Sequence, residues 1–134
     1  MYRSVFEYYE CVVFTTRMAT FGEYIRQARE ALHESDRAYS LRQVAARINV
    51  EPAYLSKIER DIFPPPSEEA IVRLATVLGE DQDVLLAMAG KMSFELQQII
   101  IQRPKLFGEL LRQLKEAPDH AILRVVREIK DGEW

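Results

Sequence analysis

Apolar residues recur at intervals of three and four along one short segment of this sequence after another. The two clearest stripes consist of Phe21, Tyr24, Ile25, Ala28 and Leu32 and of Ile122, Val125, Val126 and Ile129. Such spacing places the apolar side chains on one face of an α-helix. Only 5 glycines occur among 134 residues, which favours helices over a turn-rich β fold. The sequence therefore predicts an all-α protein.

Capping residues mark where the helices begin and end. Thr20 and Glu23 have the T-x-x-E spacing of a capping box, and Ser40 and Gln43 repeat it as S-x-x-Q. Asn49 tolerates the left-handed backbone conformation that ends a helix in a sharp turn. Together with the prolines and glycines further along, these signals predict five short helices up to about residue 90 and three amphipathic helices after it.

Composition and charge exclude several classes of protein. A net charge of −3 argues against a generally basic nucleic-acid coat protein, but it leaves room for a local DNA-binding face. The single cysteine, Cys11, permits no internal disulfide, and 2 histidines beside it give no metal-ligand spacing. No apolar run approaches the ~20 residues of a membrane span, and the features of a secretory signal are missing. We therefore expect a cytoplasmic protein with no metal or other cofactor and no membrane partner.

Residues 1–17 differ from the rest of the chain. They are rich in aromatic and β-branched residues, such as Val5, Phe6 and Tyr8, which favour a strand. No other segment of the sequence predicts a strand to pair with it. The segment is therefore either an arm that pairs with its copy in a dimer or an extension upstream of a natural start at Met18. We favour the extension, because the regular helical patterns begin only after Met18.

Two of the predicted helices are joined by a turn of three or four residues. They run from about Leu41 to Ile48 and from Pro52 to about Arg60. This is the helix-turn-helix arrangement, in which the small side chain of Ala45 allows the two helices to cross closely. The outer side of the second helix is polar and partly basic. A helix of this kind can enter the major groove of DNA, which is about 12 Å wide, and present side chains to base edges.

Residues 21–90 resemble the lambda-repressor/Cro-like helix-turn-helix family, also called the XRE family. The matching strings are I-R-Q-A-R-E at 25–30, S-L-R-Q-V-A-A-R-I-N-V at 40–50, Y-L-S-K-I-E-R at 54–60 and P-S at 66–67. The order of five helices matches as well. The resemblance implies a five-helix, lambda-repressor-like DNA-binding domain, to which we assign residues 18–90, and it implies double-stranded DNA as the partner.

The resemblance also implies roles for individual residues. Arg29 and Glu59 match a buried ion pair that ties the first helix to the third. The residues expected to contact bases are Ala53, Tyr54, Ser56 and Lys57, and those expected to contact phosphates are Ser40, Arg42, Gln43 and Arg60. Lys57 could donate to guanine O6 or N7. A solvated helix face is the alternative for each polar residue, and packing is the alternative for Tyr54.

The sequence departs from the family pattern in four places. The predicted polar loop at residues 33–38 is longer than the usual turn, and Asn49 replaces a common glycine. Asp61 stands where glycine is frequent and places a negative charge near the DNA. Pro52 stands where many members have a base-reading glutamine, so few side chains remain for direct readout. These departures are compatible with DNA binding, but the resemblance then does not predict which DNA sequence is bound.

Residues 91–134 are predicted to form a small helical C-terminal region, which we do not assign to a family. Its apolar stripes could form a dimer interface or pack on each other as a three-helix subdomain, and we expect both. The candidate dimerisation residues are Leu110, Leu114, Ile122, Val126, Ile129 and Trp134. By analogy with some small repressors of the XRE family, a regulatory protein such as a metallopeptidase is a further candidate partner.

Together these features predict a sequence-specific transcriptional regulator, a dimeric repressor that reads a palindromic operator through residues 51–60. The alternative is an antitoxin or another interaction module whose C-terminal helices bind a partner protein. We do not expect an enzyme, because the sequence offers no nucleophile–base arrangement, no phosphate loop and no metal cluster.

Overall fold

The computed structural model describes residues 19–132, and over these residues it contains helices and no strand. The helices are α1 (Phe21–His33), α2 (Leu41–Arg47), α3 (Pro52–Glu59), α4 (Glu68–Leu78), α5 (Gln82–Met88), α6 (Phe94–Gln102), α7 (Pro104–Leu114) and α8 (Asp119–Asp131). The predicted all-α class is confirmed. The strand considered for residues 1–17 lies outside the described residues, as does Trp134. None of the described helices has the length and apolarity that crossing a bilayer requires.

The chain divides into two compact units, one ending at Ser93 and the other beginning at Phe94. In the first unit, α1 to α5 enclose a single hydrophobic core. Its largest fully buried side chains are Ile25, Val44, Ile48, Leu55, Ile58, Ile71, Leu74, Leu85 and Leu86. All of them lie within α1 to α5 or directly after one of these helices, so burial of the apolar helix faces explains why five short helices assemble here.

Thr20 and Ser40 both cap their helices as predicted, but only the Thr20 box is reciprocal, because the N–H of Ser40 donates to the carbonyl of Arg37. The side chain of Thr20 accepts the backbone N–H of Glu23, whose carboxylate accepts the N–H of Thr20 in return, so the capping box is complete. The side chain of Ser67 caps α4 in the same way by accepting the N–H of Ala70. After α4, Gly79 adopts the left-handed conformation with φ 68°, which satisfies the last carbonyls of the helix.

The predicted polar loop at residues 33–38 is partly ordered into helical turns. Helix α1 continues to His33, and a short 3₁₀ turn occupies Arg37–Tyr39. Asp36 begins this turn, because its carboxylate accepts the N–H of Ala38 at 2.9 Å. The guanidinium of Arg47 lies 4.6 Å from the centre of the Tyr39 ring and stabilises the turn from the side of α2.

Helices α1 and α3 approach each other closely at Gly22. A Cβ atom at this position would overlap the carbonyl oxygen of Ile58 at the end of α3. The same junction contains Asp61, whose carboxylate accepts the hydroxyl of Thr20 at 2.6 Å and so lies at the N-terminus of α1. A negative charge is favourable there, because the N-terminus of a helix carries partial positive charge. This contact gives a structural reason for an aspartate where the family frequently has glycine.

The second unit contains α6, α7 and α8, and none of the described side chains of these helices is buried. Leu106 and Ile129, for example, remain 71% and 59% exposed. In the single chain, the apolar stripes therefore pack only partly, and Leu114, Ile122 and Val126 are half-buried. A unit this small buries a smaller fraction of its surface than a larger domain does, so its apolar side chains are harder to cover within one chain.

Candidate nucleic-acid interface

The turn between α2 and α3 fixes the angle at which the two helices meet. Asn49 adopts the left-handed conformation with φ 60°, as its sequence position predicts. The N–H of Val50 then donates to the carbonyl of Ala45 at 2.9 Å, which closes the end of α2. Pro52 occupies the first turn of α3, where its missing N–H costs nothing. Ala45 is fully buried at the crossing, so its methyl group sets the close approach of the helices.

Helix α3 has a buried inner side and an accessible outer side. Leu55, Ile58 and Glu59 are buried and face the core. The residues predicted to contact bases lie on the remaining sides of the helix. Ala53 is exposed, and Tyr54, Ser56 and Lys57 are half-buried. The structure thus places all four on one short helix without enclosing any of them.

The residues predicted to contact phosphates lie at two helix ends. Ser40 caps α2, because its hydroxyl oxygen accepts the N–H of Gln43 at 3.2 Å. Its hydroxyl hydrogen remains available for donation, since this cap uses only an oxygen lone pair. The side chains of Arg42 and Gln43 are exposed on the first turn of α2. Arg60 is exposed after α3, and its Nε donates to the carbonyl of Ser56 at 3.3 Å.

Arg29 and Glu59 form a bidentate ion pair between α1 and α3. Nε and Nη2 of Arg29 each donate to one carboxylate oxygen of Glu59 at 2.8 Å, and Nη1 donates to the carbonyl of Tyr39 at 3.3 Å. The hydrogen bonds with Glu59 raise the pKa of Arg29, and burial opposes this effect. Because the pKa is raised in the folded state, the stability that depends on the charge of Arg29 is lost only as the pH rises above the ordinary arginine range. The pair holds α3 against α1 and so sets the orientation of its outer side.

Phe63 is a residue of this surface that sequence reasoning missed. It follows α3 in a proline-rich connector, residues 62–67, and is 39% exposed. The ammonium nitrogen of Lys57 lies 4.9 Å from the centre of its ring, and the ring centres of Tyr54 and Phe63 are 5.8 Å apart. The sequence offered one signal for it, an aromatic residue shortly after the second helix of the helix-turn-helix pair. The contact itself depends on how the connector folds back onto that helix.

The candidate dimerisation residues lie on α7 and α8 of the second unit. Leu110 and Ile129 are exposed, and Leu114, Ile122 and Val126 are half-buried. Trp134 lies outside the described residues. Within residues 19–132, no group of three or more histidine, cysteine or acidic side chains is placed to hold a metal ion.

A family model described as "Helix-turn-helix domain" matches residues 20–88 of the chain. The match includes α1 to α5 and all the residues that the sequence singled out for DNA contact. No curated protein and no solved structure matches the chain.

Proposed function

The chain belongs to the helix-turn-helix domain family, and on that premise we propose that it is a dimeric transcriptional repressor that reads a palindromic operator through α3. Family membership by itself indicates a DNA-binding regulator. The observation that supports the finer proposal is the division of α3 into two sides. Its apolar residues anchor it in the core, and an ion pair fixes it to α1. A rigid helix with a free polar side is the geometry that major-groove recognition requires.

The outer side of α3 has suitable chemistry for base contacts. Lys57 donates hydrogen bonds and has no acceptor, so it selects guanine O6 and N7 over edges that present a donor. The hydroxyl of Ser56 can serve as donor or acceptor, and Ala53 permits close approach or contact with a thymine methyl group. Tyr54 lies beside them and reaches a methyl group or the DNA backbone.

The first turn of α2 is the proposed phosphate site. The Ser40 hydroxyl already accepts the N–H of Gln43, and the remaining N–H groups of this turn and the partial positive charge of the helix end attract an anion. Ser40, Arg42 and Gln43 surround this end, and Arg60 adds a second cation at the end of α3. Phosphate contacts at two helix ends orient α3 in the groove, whereas base contacts choose the sequence.

Dimerisation is proposed because one unit of this size makes few contacts to DNA. Specific regulators of this kind use two copies whose recognition helices are spaced by one helical turn of DNA or a multiple of it. The exposed apolar stripes of α7 and α8 support a second copy as the partner. Their burial against a copy would remove apolar surface from water, which favours association.

The same stripes favour a second candidate function. An antitoxin or another interaction module would use α6 to α8 to bind a partner protein and could still bind DNA. Co-purification separates the two functions, since a repressor homodimer elutes alone, whereas an antitoxin elutes with a second polypeptide in fixed stoichiometry.

The experiment that tests the proposal is selection of bound duplexes from a random DNA pool with the full chain. We expect a palindrome with a fixed half-site spacing, bound by two chains as measured by light scattering. Enrichment of a single asymmetric half-site would contradict the dimer. Equal recovery of all sequences at physiological salt, where the sequence-independent phosphate contacts are weakened, would contradict sequence-specific binding.

A further inference from the structure

Phe63 has a fixed position relative to Lys57. The carbonyl oxygen of Lys57 accepts two backbone N–H groups from the connector, that of Ile62 at 2.9 Å and that of Phe63 at 3.2 Å. These bonds fold the connector back onto the last turn of α3. The ring of Phe63 thereby lies against the side chain of Lys57, whose ammonium nitrogen is 4.9 Å from the ring centre.

The Phe63 ring also contacts the neighbouring aromatic side chain of the outer face. Tyr54 and Lys57 are three residues apart, so they lie on the same side of α3. The ring centres of Tyr54 and Phe63 are 5.8 Å apart with an interplanar angle of 48°, which is a favourable tilted arrangement. Phe63 thus spans the two residues, although it lies outside the helix and has no hydrogen-bonding group in its side chain.

We propose that Phe63 is a positioning residue for base recognition, which holds the Lys57 ammonium group over its ring and limits the directions in which Lys57 reaches. The proposal rests on the proposed function, because it assumes that Lys57 reads a base. A lysine side chain has many rotamers and loses this freedom when it binds a base edge. A ring that already restricts the lysine side chain reduces the conformational entropy lost on binding. The attraction between the ring and the cation persists while the ammonium donates to the base.

The expected effect is moderate and confined to one base pair. A cation–π contact at an exposed site corresponds to about a two- to fivefold change in an equilibrium constant. Phe63→Leu should therefore reduce the preference for the base pair read by Lys57 by about two- to fivefold. Phe63→Tyr keeps the aromatic face and should retain the preference. Ile62→Ala removes a neighbouring exposed apolar side chain and serves as the matched control.

The test measures dissociation constants of the full chain and its variants for two duplexes. One is the operator recovered by selection, and the other has the base pair assigned to Lys57 replaced. We expect Phe63→Leu to reduce the ratio of the two constants, and we expect no further reduction when Lys57→Ala is already present. If Phe63→Leu reduced the ratio by the same factor in the Lys57→Ala background, the proposal would be overturned, because Phe63 would then act without Lys57. An unchanged ratio in Phe63→Leu would overturn it as well.

A second measurement needs no DNA and remains informative if a variant folds poorly. Protons that lie over an aromatic ring are shifted upfield in NMR spectra. The Lys57 ε-methylene protons of the intact chain and of Phe63→Tyr should show this shift, and unshifted protons in the intact chain would contradict the contact itself. Failure of the proposed function is visible separately, since the unsubstituted chain would then bind all duplexes alike.

Discussion

Breaking the Arg29–Glu59 pair tests how strongly α3 is fixed to the rest of its unit. The two residues are only 8% and 5% exposed, and two hydrogen bonds of 2.8 Å join their side chains. Glu59→Leu leaves the Arg29 guanidinium with the Tyr39 carbonyl, at 3.3 Å, as its remaining acceptor among residues 19–132. Removing one partner of a buried pair costs about 3–5 kcal/mol, because the other charge stays buried without compensation.

The double variant Arg29→Met with Glu59→Leu should recover most of this loss. Replacing both charges by apolar side chains of similar volume is often neutral, so the main remaining cost is the hydrogen bond to the Tyr39 carbonyl, about 1 kcal/mol. A domain of the size of α1 to α5 is stable by only about 4–10 kcal/mol. Either single replacement should therefore remove a third or more of the free energy of unfolding, and the double replacement should not.

The assay is urea unfolding followed by far-UV circular dichroism, with Arg26→Met as the matched control. Arg26 pairs with Glu30 on the surface of α1 at 3.0 Å, with both side chains about half exposed. An exposed pair of this kind contributes about 0.3–0.5 kcal/mol and is weakened by salt. Single variants of the buried pair that lose less than about 1 kcal/mol would refute the reasoning. A double variant that loses as much as the two single variants together would also refute it.

Three further predictions concern the packing of the first unit and the role of the second. Gly22→Ala should lower the free energy of unfolding by about 1–3 kcal/mol in thermal melts, because the added Cβ overlaps the Ile58 carbonyl oxygen; an unchanged melting temperature would contradict the close approach. Asn49→Ala should cost about 1 kcal/mol and Asn49→Gly should cost nothing, since φ is 60° at this position; equal melting temperatures would show that the turn is not strained. A chain ending at Ser93 should be monomeric by light scattering while the full chain is dimeric, and a dimeric fragment would exclude α6 to α8 as the interface.

The helices and their ends could be predicted from the sequence because they depend on local interactions. The hydroxyl of Thr20 meets the N–H of Glu23 three residues away, and proline at position 52 suits the first turn of a helix whatever surrounds it. The left-handed conformation at Asn49 is likewise a property of the residue and its place after a helix. The family resemblance then supplied the ion pair between Arg29 and Glu59, which helix periodicity alone does not predict.

The contacts that sequence reasoning missed join residues far apart in the chain. Thr20 and Asp61 are 41 residues apart, so the hydrogen bond between them follows from the packing of α1 on α3 and from no local pattern. From the sequence alone, Gly22 is an unfavourable residue within a helix. The structure gives the reason for it, because the Ile58 carbonyl oxygen leaves no room for a Cβ atom. Phe63 belongs to a proline-rich segment whose sequence indicates a connector, and its contact with Lys57 requires the backbone bonds that fold this segment back.

The stripes of α7 and α8 show another limit of pattern reading. Apolar periodicity predicts that a helix face will be covered, but it does not identify the partner. The sequence allowed an intramolecular core as well as a dimer interface, and in the single chain no described side chain of these helices is buried. Leu110 and Ile129 therefore remain available to a second chain or to another protein.

Parallel selection of DNA by three proteins tests most directly whether the outer side of α3 reads bases. Duplexes would be selected from one random pool by the full chain, by Lys57→Ala and by Lys115→Ala, a charge-matched control in the second unit. We predict that the full chain and the Lys115 variant recover the same palindrome. The Lys57 variant should recover that palindrome with the base preference lost at one position in each half-site. An identical motif from all three proteins would contradict base recognition by Lys57 on α3.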